Sequence, residues 1–444
     1  MLRCPVEYSC EPPLRTFEPW KAKGRPSIRR LGWLAAVPLL ALRLPAAAPR
    51  LPRAQAVIRA AIAAHAFPGA ALAVGWRGRS IALRGFGHFT YAPGSPRVTA
   101  NTIYDLASLS KVVGTTSALM MLYDRHRFRL REPLVRILPG FGHIPAGERG
   151  DPLWPARRRV TLFELLTHTS GLPPWLPLYK CGLPGFNCSI PGYSGPDTGL
   201  PYPVPPYLLR AAVEQVPLVA YPATKYAYSD FNFMLLGQVV ERLSHLPLNL
   251  FLARRLFRPL RLRSTLYQPP RRLWRRIPPE EYDAVYRHIL VHGFVHDENA
   301  YALDGVAGHA GLFSSARDLA RFARLLLAGG RYRGRRYFRS ATVRLFTRRA
   351  PTVLADLGLG WDKRTDISDT IPWFSRQSYG HTGFTGTSIW IDPVRRLYIV
   401  LLTNRVYPTR ANHQIMQVRR ELYRAVFDDL GLAPRGAAGS EGRR

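Results

Sequence analysis

Lysine is almost missing from this 444-residue chain: Lys21, Lys23, Lys111, Lys180, Lys225 and Lys363 are the only ones, and every other basic residue is arginine. Each lysine therefore carries information about its position. Acidic residues are also short, with 29 Asp and Glu against 63 Lys and Arg, giving a formal charge of +34 and a pI near 11.0. Such a balance ordinarily points to nucleic acid or an anionic surface. The arginines, however, run through every segment rather than one stripe, and no recognised nucleic-acid-binding motif accompanies them. Specific nucleic-acid binding is not expected. The bias reads as coding composition, with incidental contact to an anionic membrane surface or acidic polymers.

Long apolar runs are lacking too. Leu31 to Leu42 is too short to span a bilayer comfortably. Arg29 and Arg30 precede it and Ala46-Ala47-Ala48 follows, the positive, apolar and small-residue order of a secretory signal. Ser27-Ile28-Arg29-Arg30 faintly resembles a twin-arginine signal, and a start codon placed upstream of an ordinary signal is the rival explanation. Residues 1–48 are expected to be a leader, and the protein to be exported to a periplasmic or extracellular compartment. Only four cysteines are present. Cys4 and Cys10 would leave with the leader, while Cys181 and Cys188 share a Gly- and Pro-rich loop where an oxidising compartment permits a local disulfide. Two free thiols are the alternative.

What remains suits a sizeable core, since 47% of the residues are hydrophobic. Helical periodicity over Ala54–His65 is followed by two strands, Ala70–Val74 and Ser80–Arg84, around the turn Trp76-Arg77-Gly78-Arg79. Helical signals dominate from Leu106 to Leu327, with Leu235–Leu243 and Ala316–Leu327 as helices, and the Pro-rich stretch Leu172–Pro206 as a surface loop. Strands return at Thr387–Ile391 and Leu397–Thr403 as an antiparallel hairpin, and Gln414–Phe427 closes as a helix. The expected fold is α/β: one antiparallel sheet assembled from N- and C-terminal segments, flanked by helices, with a mainly helical region at about 105–330 inserted. The domain is expected over 49–435 and a polar tail over 436–444.

The scarce lysine that matters most is Lys111 in Ser108-Leu109-Ser110-Lys111. Residues three apart on a helix share a face, so a desolvated Lys111 could accept the Ser108 proton. The following Val112, Val113, Leu119 and Leu122 would supply the desolvation. The pattern is short, and an ordinary helix surface could also produce it.

Three more stretches make the hypothesis specific: Tyr228-Ser229-Asp230, His381-Thr382-Gly383, and Leu166-Thr167-His168-Thr169-Ser170-Gly171-Leu172. In this order the chain resembles the serine β-lactamase and penicillin-binding-protein superfamily, in particular its class C β-lactamase, esterase and D-peptidase branch, from about Val57 to Leu430. The resemblance implies a β-lactamase/transpeptidase-like fold and a serine hydrolase working through an acyl-enzyme without a cofactor. Ser108 would be the nucleophile, with Lys111 and Tyr228 sharing acid and base work. Asp230, His381, Thr382, Gly383 and Phe384 would line the substrate cleft. The Gly383 backbone would admit substrate closely, and the Phe384 amide would join that of Ser108 in an oxyanion hole.

Two residues depart from the commonest pattern. Asp230 stands where asparagine is more frequent, and its charge would favour ammonium on Lys111, moving the base role towards Tyr228. His381 stands where β-lactamases usually carry lysine, which makes efficient β-lactamase activity less expected. Arg405 could replace that cation, provided its strand lies beside the strand bearing His381. His168 and Ser170 read as a structural turn rather than part of a Ser-His-Asp triad. The segments Val295–Ala300 and Gly305–Phe313 read as cleft wall, and no metal is expected, because Gly293 weakens the helix that would aim His292 and His296 together. The substrate would be a small molecule or peptidoglycan-derived: an ester, a D-amino acid peptide or a muropeptide. The rivals are a carboxylesterase without a cell-wall role, a non-catalytic penicillin-binding or sensor protein, and an arginine-rich binder of acidic polymers. Oligomeric state is open.

Overall fold

The computed structural model describes residues 50–143, 150–181, 204–363 and 372–433. The expected leader and polar tail, Cys188 and most of the Pro-rich loop lie outside the described residues. Helix α1 (Pro52–Ala63) starts with proline at its first position, where the missing N–H costs nothing. It leads into β1 (Gly69–Trp76) and β2 (Arg79–Gly87), joined by the tight turn at Arg77-Gly78. Strand β3 (Ile103–Asp105) delivers the chain to Ser108. A wide-turned π-helix over Lys111–Thr116 then runs on as α2 (Ser117–Tyr123), an irregularity common at functional sites.

Further along come α3 (Asp230–Ser244), β4 (Leu266–Tyr267), β5 (Leu312–Ser315) and α4 (Ala316–Leu327). The small hairpin β6 (Arg331–Tyr332) and β7 (Arg335–Arg336) follows. The last strands are β8 (Asp362–Lys363), β9 (Tyr379–Thr382), β10 (Ser388–Asp392) and β11 (Leu397–Thr403), before the closing helix α5 (Ile415–Asp429).

The main sheet has the order β8-β9-β10-β11-β1-β2, entirely antiparallel, so the N-terminal hairpin pairs directly with the C-terminal one. Both faces of its central strands are buried. Ala70, Leu72 and Val74 of β1, with Leu397, Ile399 and Leu401 of β11, pack under α1 and α5. The alternate residues Ala71, Ala73, Val400 and Leu402 face the inserted region, including α2 and α4. This period-two division explains why β1 and β11 read as continuous apolar runs. The second sheet, β3-β5-β4, lies within the inserted region and aims the turn that carries Ser108. Among the described residues no helix is long and apolar enough to cross a membrane.

Candidate active site

The turn before Ser108 is shaped by a carboxylate that belongs to no motif. Buried Asp105 accepts the Ala107 amide at 2.8 Å and the His296 amide at 2.7 Å. These bonds support Ala107 at φ +46°, a left-handed conformation unfavourable for alanine. Ser108 follows at once, and the helix begins after it. On the first wide turn, Lys111 is fully buried and its Nζ lies 2.9 Å from Ser108 Oγ.

The same ammonium touches Asp230 Oδ1 at 2.7 Å, as an ion pair off the ideal hydrogen-bond line, and donates to the His309 carbonyl at 3.3 Å. Burial alone would lower the Lys111 pKa, but Asp230 and Tyr228 outweigh it and hold the amine above its ordinary value. The Tyr228 hydroxyl hydrogen-bonds both Lys111 and Ser108. Burial raises its pKa, against the opposing pull of the ammonium. Lys111 is therefore ammonium and Tyr228 a neutral phenol in the resting protein at neutral pH.

Two supports flank this pair. His168 stacks on Tyr228 with ring centroids 4.7 Å apart, and its Nδ1 accepts the Ser229 amide at 3.1 Å and faces Asn232 Nδ2 at 3.0 Å. Burial, then the Lys111 charge, pushes its pKa well below the imidazole value. Ser170 bonds Asn232 at 2.5 Å, so the His168–Ser170 turn holds the Tyr228 loop and the start of α3. On the other side Asp297 caps the short helix Glu298–Ala302 through the Ala300 amide at 2.7 Å and takes the Nε2 of His309 at 3.0 Å. Gly308 permits this approach, since a Cβ there would lie 1.9 Å from the Phe233 carbonyl of α3.

Ligand atoms of Asp230, Asp297 and His309 fall within 4.8 Å of one another. The Lys111 ammonium already supplies positive charge to this group through Asp230 and the His309 carbonyl. His292 and His296, the pair weighed from the sequence, are engaged elsewhere. His292 Nε2 reaches the Trp274 and Ile277 carbonyls, and His296 Nε2 pairs with Glu281 at 2.7 Å.

The opposite wall is β9 and the turn after it. Thr385 Oγ1 donates to the Asp105 carbonyl at 2.8 Å and Thr387 Oγ1 to the Leu106 carbonyl at 3.0 Å, fastening this turn to the Ser108 turn. A Cβ on Gly383 would come within 2.1 Å of Thr387 Oγ1 and 2.6 Å of the Leu106 carbonyl. Its small size thus serves that junction, whereas the sequence suggested access for substrate. The amides of Ser108 and Phe384 have no acceptor among the described residues.

His381 is buried, with Nδ1 2.7 Å from the Thr382 carbonyl and its ring 6.1 Å from that of Tyr228. Burial lowers its pKa, Asp362 opposes the shift and Lys111 adds to it, so the ring is neutral at pH 7.

Arg405 corrects an expectation. Strand β10 lies between β11 and β9, so the strand leading to Arg405 is not beside that of His381. Its Nε donates to the Phe384 carbonyl at 2.7 Å and its Nη1 to the Arg410 and Asn412 carbonyls at 2.7 and 2.6 Å. The buried guanidinium braces the turn and is not presented to a substrate carboxylate. Arg410 lies nearer the rim, paired with Glu281 and Glu298.

Half-open aromatic rings extend from the site. The Pro174 carbonyl accepts the Asp230 amide at 3.0 Å, and the neighbouring Trp175 begins a chain of rings through Tyr179, Tyr286, Tyr301 and Phe294 to Trp274, with successive centroids 4.7 to 6.4 Å apart. The buried Cys181 after this loop is disulfide-bonded.

A serine–lysine–tyrosine cluster around a buried lysine, between a helical region and an antiparallel sheet, is the arrangement of penicillin-recognising serine hydrolases. The Beta-lactamase family model matches residues 54–423, and the chain belongs to that family as a serine hydrolase. It is 34% identical over 370 residues to a Bacillus subtilis protein named N-acetylmuramyl-L-alanine amidase, covering 77% of this chain and 78% of that one. A Salmonella typhimurium protein bearing D-alanyl-D-alanine carboxypeptidase as a provisional name is 33% identical over 339 residues, or 72% of this chain and 73% of the relative. Among solved structures, EstCE1, described as a hydrolase with promiscuous acyltransferase activity, superposes with a TM-score of 0.62 at 21% identity, covering 84% of this chain and 97% of its own.

Proposed function

We propose that Ser108 is the nucleophile of an exported amidase that cleaves cell-wall muropeptides at an amide with no free carboxylate beside it, as in the N-acetylmuramyl–L-alanine linkage. The observation that carries the chemistry is the buried Lys111 Nζ, 2.9 Å from Ser108 Oγ and 2.7 Å from Asp230. Because Lys111 and Tyr228 are both protonated at rest, the pair titrates as a unit and must lose one proton before it can accept another. Tyr228 touches both partners, so its phenolate, stabilised by the Lys111 ammonium, takes the Ser108 proton as Oγ bonds to the carbonyl carbon. The same proton then goes to the leaving nitrogen as the C–N bond breaks. Water, activated by the pair, releases the acyl group. The free amides of Ser108 and Phe384 would receive the oxyanion, each contributing about 3 kcal/mol to the transition state.

Substrate choice follows from the cations. A carboxypeptidase must hold a terminal carboxylate, yet His381 is neutral, Arg405 is bound to carbonyls and Arg410 is paired with two glutamates. This favours the bond named for the B. subtilis relative over the one named for the S. typhimurium relative. The aromatic chain leading from Trp175 offers ring surface for the remainder of such a substrate.

Intact-mass analysis after fluorophosphonate treatment tests the nucleophile: one adduct, on Ser108, is expected, and an adduct elsewhere or none would end the hydrolase assignment of this site. Chromatography of digests of a muramyl pentapeptide tests the bond. Release of intact peptide is expected, and release of terminal D-alanine alone would replace the amidase reading with a carboxypeptidase. Export predicts that protein recovered outside the cytoplasmic membrane begins near residue 49.

A further inference from the structure

Arginines scattered along the sequence are gathered by the fold into one concave cationic groove. A pocket of about 430 Å³ is lined by Arg261, Arg263, Arg321, Arg333 and Arg335, with Tyr332 and Tyr337. A second, of about 410 Å³, shares Tyr332 and Arg333 and adds Arg324, Arg331 and Arg396. The two are neighbouring compartments of one groove, drawn from α4, the β6–β7 hairpin, the 259–263 segment and the β10–β11 turn.

The charge in this groove is nearly uncancelled. Of the eight guanidinium groups only Arg321 has a carboxylate partner among the described residues, Asp318 at 3.2 Å, and that aspartate is buried. The other seven arginines are exposed. Like charges crowded into a concavity destabilise the empty protein and raise the local potential, so the groove gains most from a multivalent anion. Guanidinium forks suit phosphate oxygens in particular.

We propose that this groove binds a flexible chain of phosphodiesters joined by neutral, base-free linkers, a polyol-phosphate polymer. Two compartments that meet at Tyr332 and Arg333 suit phosphates spaced by uncharged linkers. Single-stranded nucleic acid would need free rings for its bases. Here Arg324 and Arg333 already cover Tyr332, at 5.6 and 5.8 Å from its centroid, and Arg335 covers Tyr337 at 5.3 Å. A flat lipid surface would leave both concavities unfilled.

The groove is remote from the catalytic cluster. Strand β10 starts opposite Thr382, beside the catalytic turn, and ends opposite Leu397, beside Arg396, so roughly 15 Å of strand separates the two ends. Binding would therefore hold the enzyme on a phosphate-bearing polymer without occupying its cleft.

The test compares binding of a poly(glycerol phosphate) of defined length, followed by calorimetry between 50 and 300 mM salt. The triple variant Arg261→Gln, Arg333→Gln, Arg335→Gln should bind at least tenfold more weakly, with its log–log salt slope flattened by about one per arginine removed. A charge-matched triple at exposed positions outside the groove, Arg254→Gln, Arg255→Gln, Arg272→Gln, should stay within twofold of wild type. Both triples should hydrolyse a small ester at the wild-type rate, which reports intact folding. Equal weakening in the two triples, or no binding by the wild type, would overturn the proposal. So would tighter binding of single-stranded DNA or of anionic vesicles, with the same loss in the groove triple.

Discussion

The Lys111 ammonium is paired with the Asp230 carboxylate at 2.7 Å, so the lysine that marks the nucleophile is also held firmly in its charged form. Replacing Asp230 with asparagine removes a raising influence while leaving burial to depress the amine. The proton that must leave the Lys111–Tyr228 pair then leaves at lower pH. The acidic limb of the kcat/KM profile should move down by about one to two pH units. An unchanged limb would show that Asp230 is not coupled to the base.

Lys111→Ala, measured with a small ester and an amide, should lower kcat by about 10³-fold with little change in KM, because the amine acts on the proton and not on substrate binding. It should also leave Asp230 without its partner. A loss appearing mainly in KM would move Lys111 from catalysis to binding.

His168 and His381 are both buried with lowered pKa values. Below the ordinary imidazole pKa of about 6.5 the unfolded chain takes up protons at these positions while the folded chain does not, so stability falls as pH falls. Each histidine should contribute up to about 1.4 kcal/mol per pH unit in that range. Urea midpoints at pH 7.5 and 5.5 would show the decline. His168→Phe should be less stable at pH 7.5, because the Ser229 amide loses its acceptor, and should decline less between the two values.

Arg405→Ala should impair substrates with and without a terminal carboxylate to the same degree, and should lower Tm. Its bonds go to the Phe384, Arg410 and Asn412 carbonyls, so the damage spreads through the turn rather than through a lost substrate contact. A selective loss on the carboxylate-bearing member of a matched substrate pair would restore the role suggested by its sequence position.

His381→Lys tests the missing cation from the other direction. A charge-assisted bond is worth about 1.5–3 kcal/mol, so kcat/KM should rise about 10- to 150-fold for carboxylate-bearing substrates relative to neutral ones. An unchanged ratio would mean that position 381 does not face the substrate.

Much of this arrangement was legible from local signals. The strand pairs around Arg77-Gly78 and at the C-terminus announce themselves through short apolar runs separated by turn residues, and α4 through its helical period. Ser108, Lys111, Tyr228 and Asp230 meet as their motifs suggest. What stayed hidden depends on pairing between remote segments. Nothing near Asp105 in the chain reveals that it will hold the amide of His296, and nothing near Arg405 reveals that β10 will separate it from β9. His168 looked like part of a turn, which it is; its stacking on Tyr228 required knowing where the 223–229 loop returns.

The pairing of β1 with β11 also dictates when the enzyme can first exist. Ala70 faces Thr403, and Asp105 is bound by Thr385, so a nascent chain emerging from the ribosome exposes the edge of β1 and an unfinished Ser108 turn until Thr385 and β11 have been made. Contacts this distant in sequence form late and slowly. Hydrolytic competence should therefore arrive abruptly, once β11 has been made. Any truncation before Leu397 should leave a strand edge open to association, not a weakened enzyme.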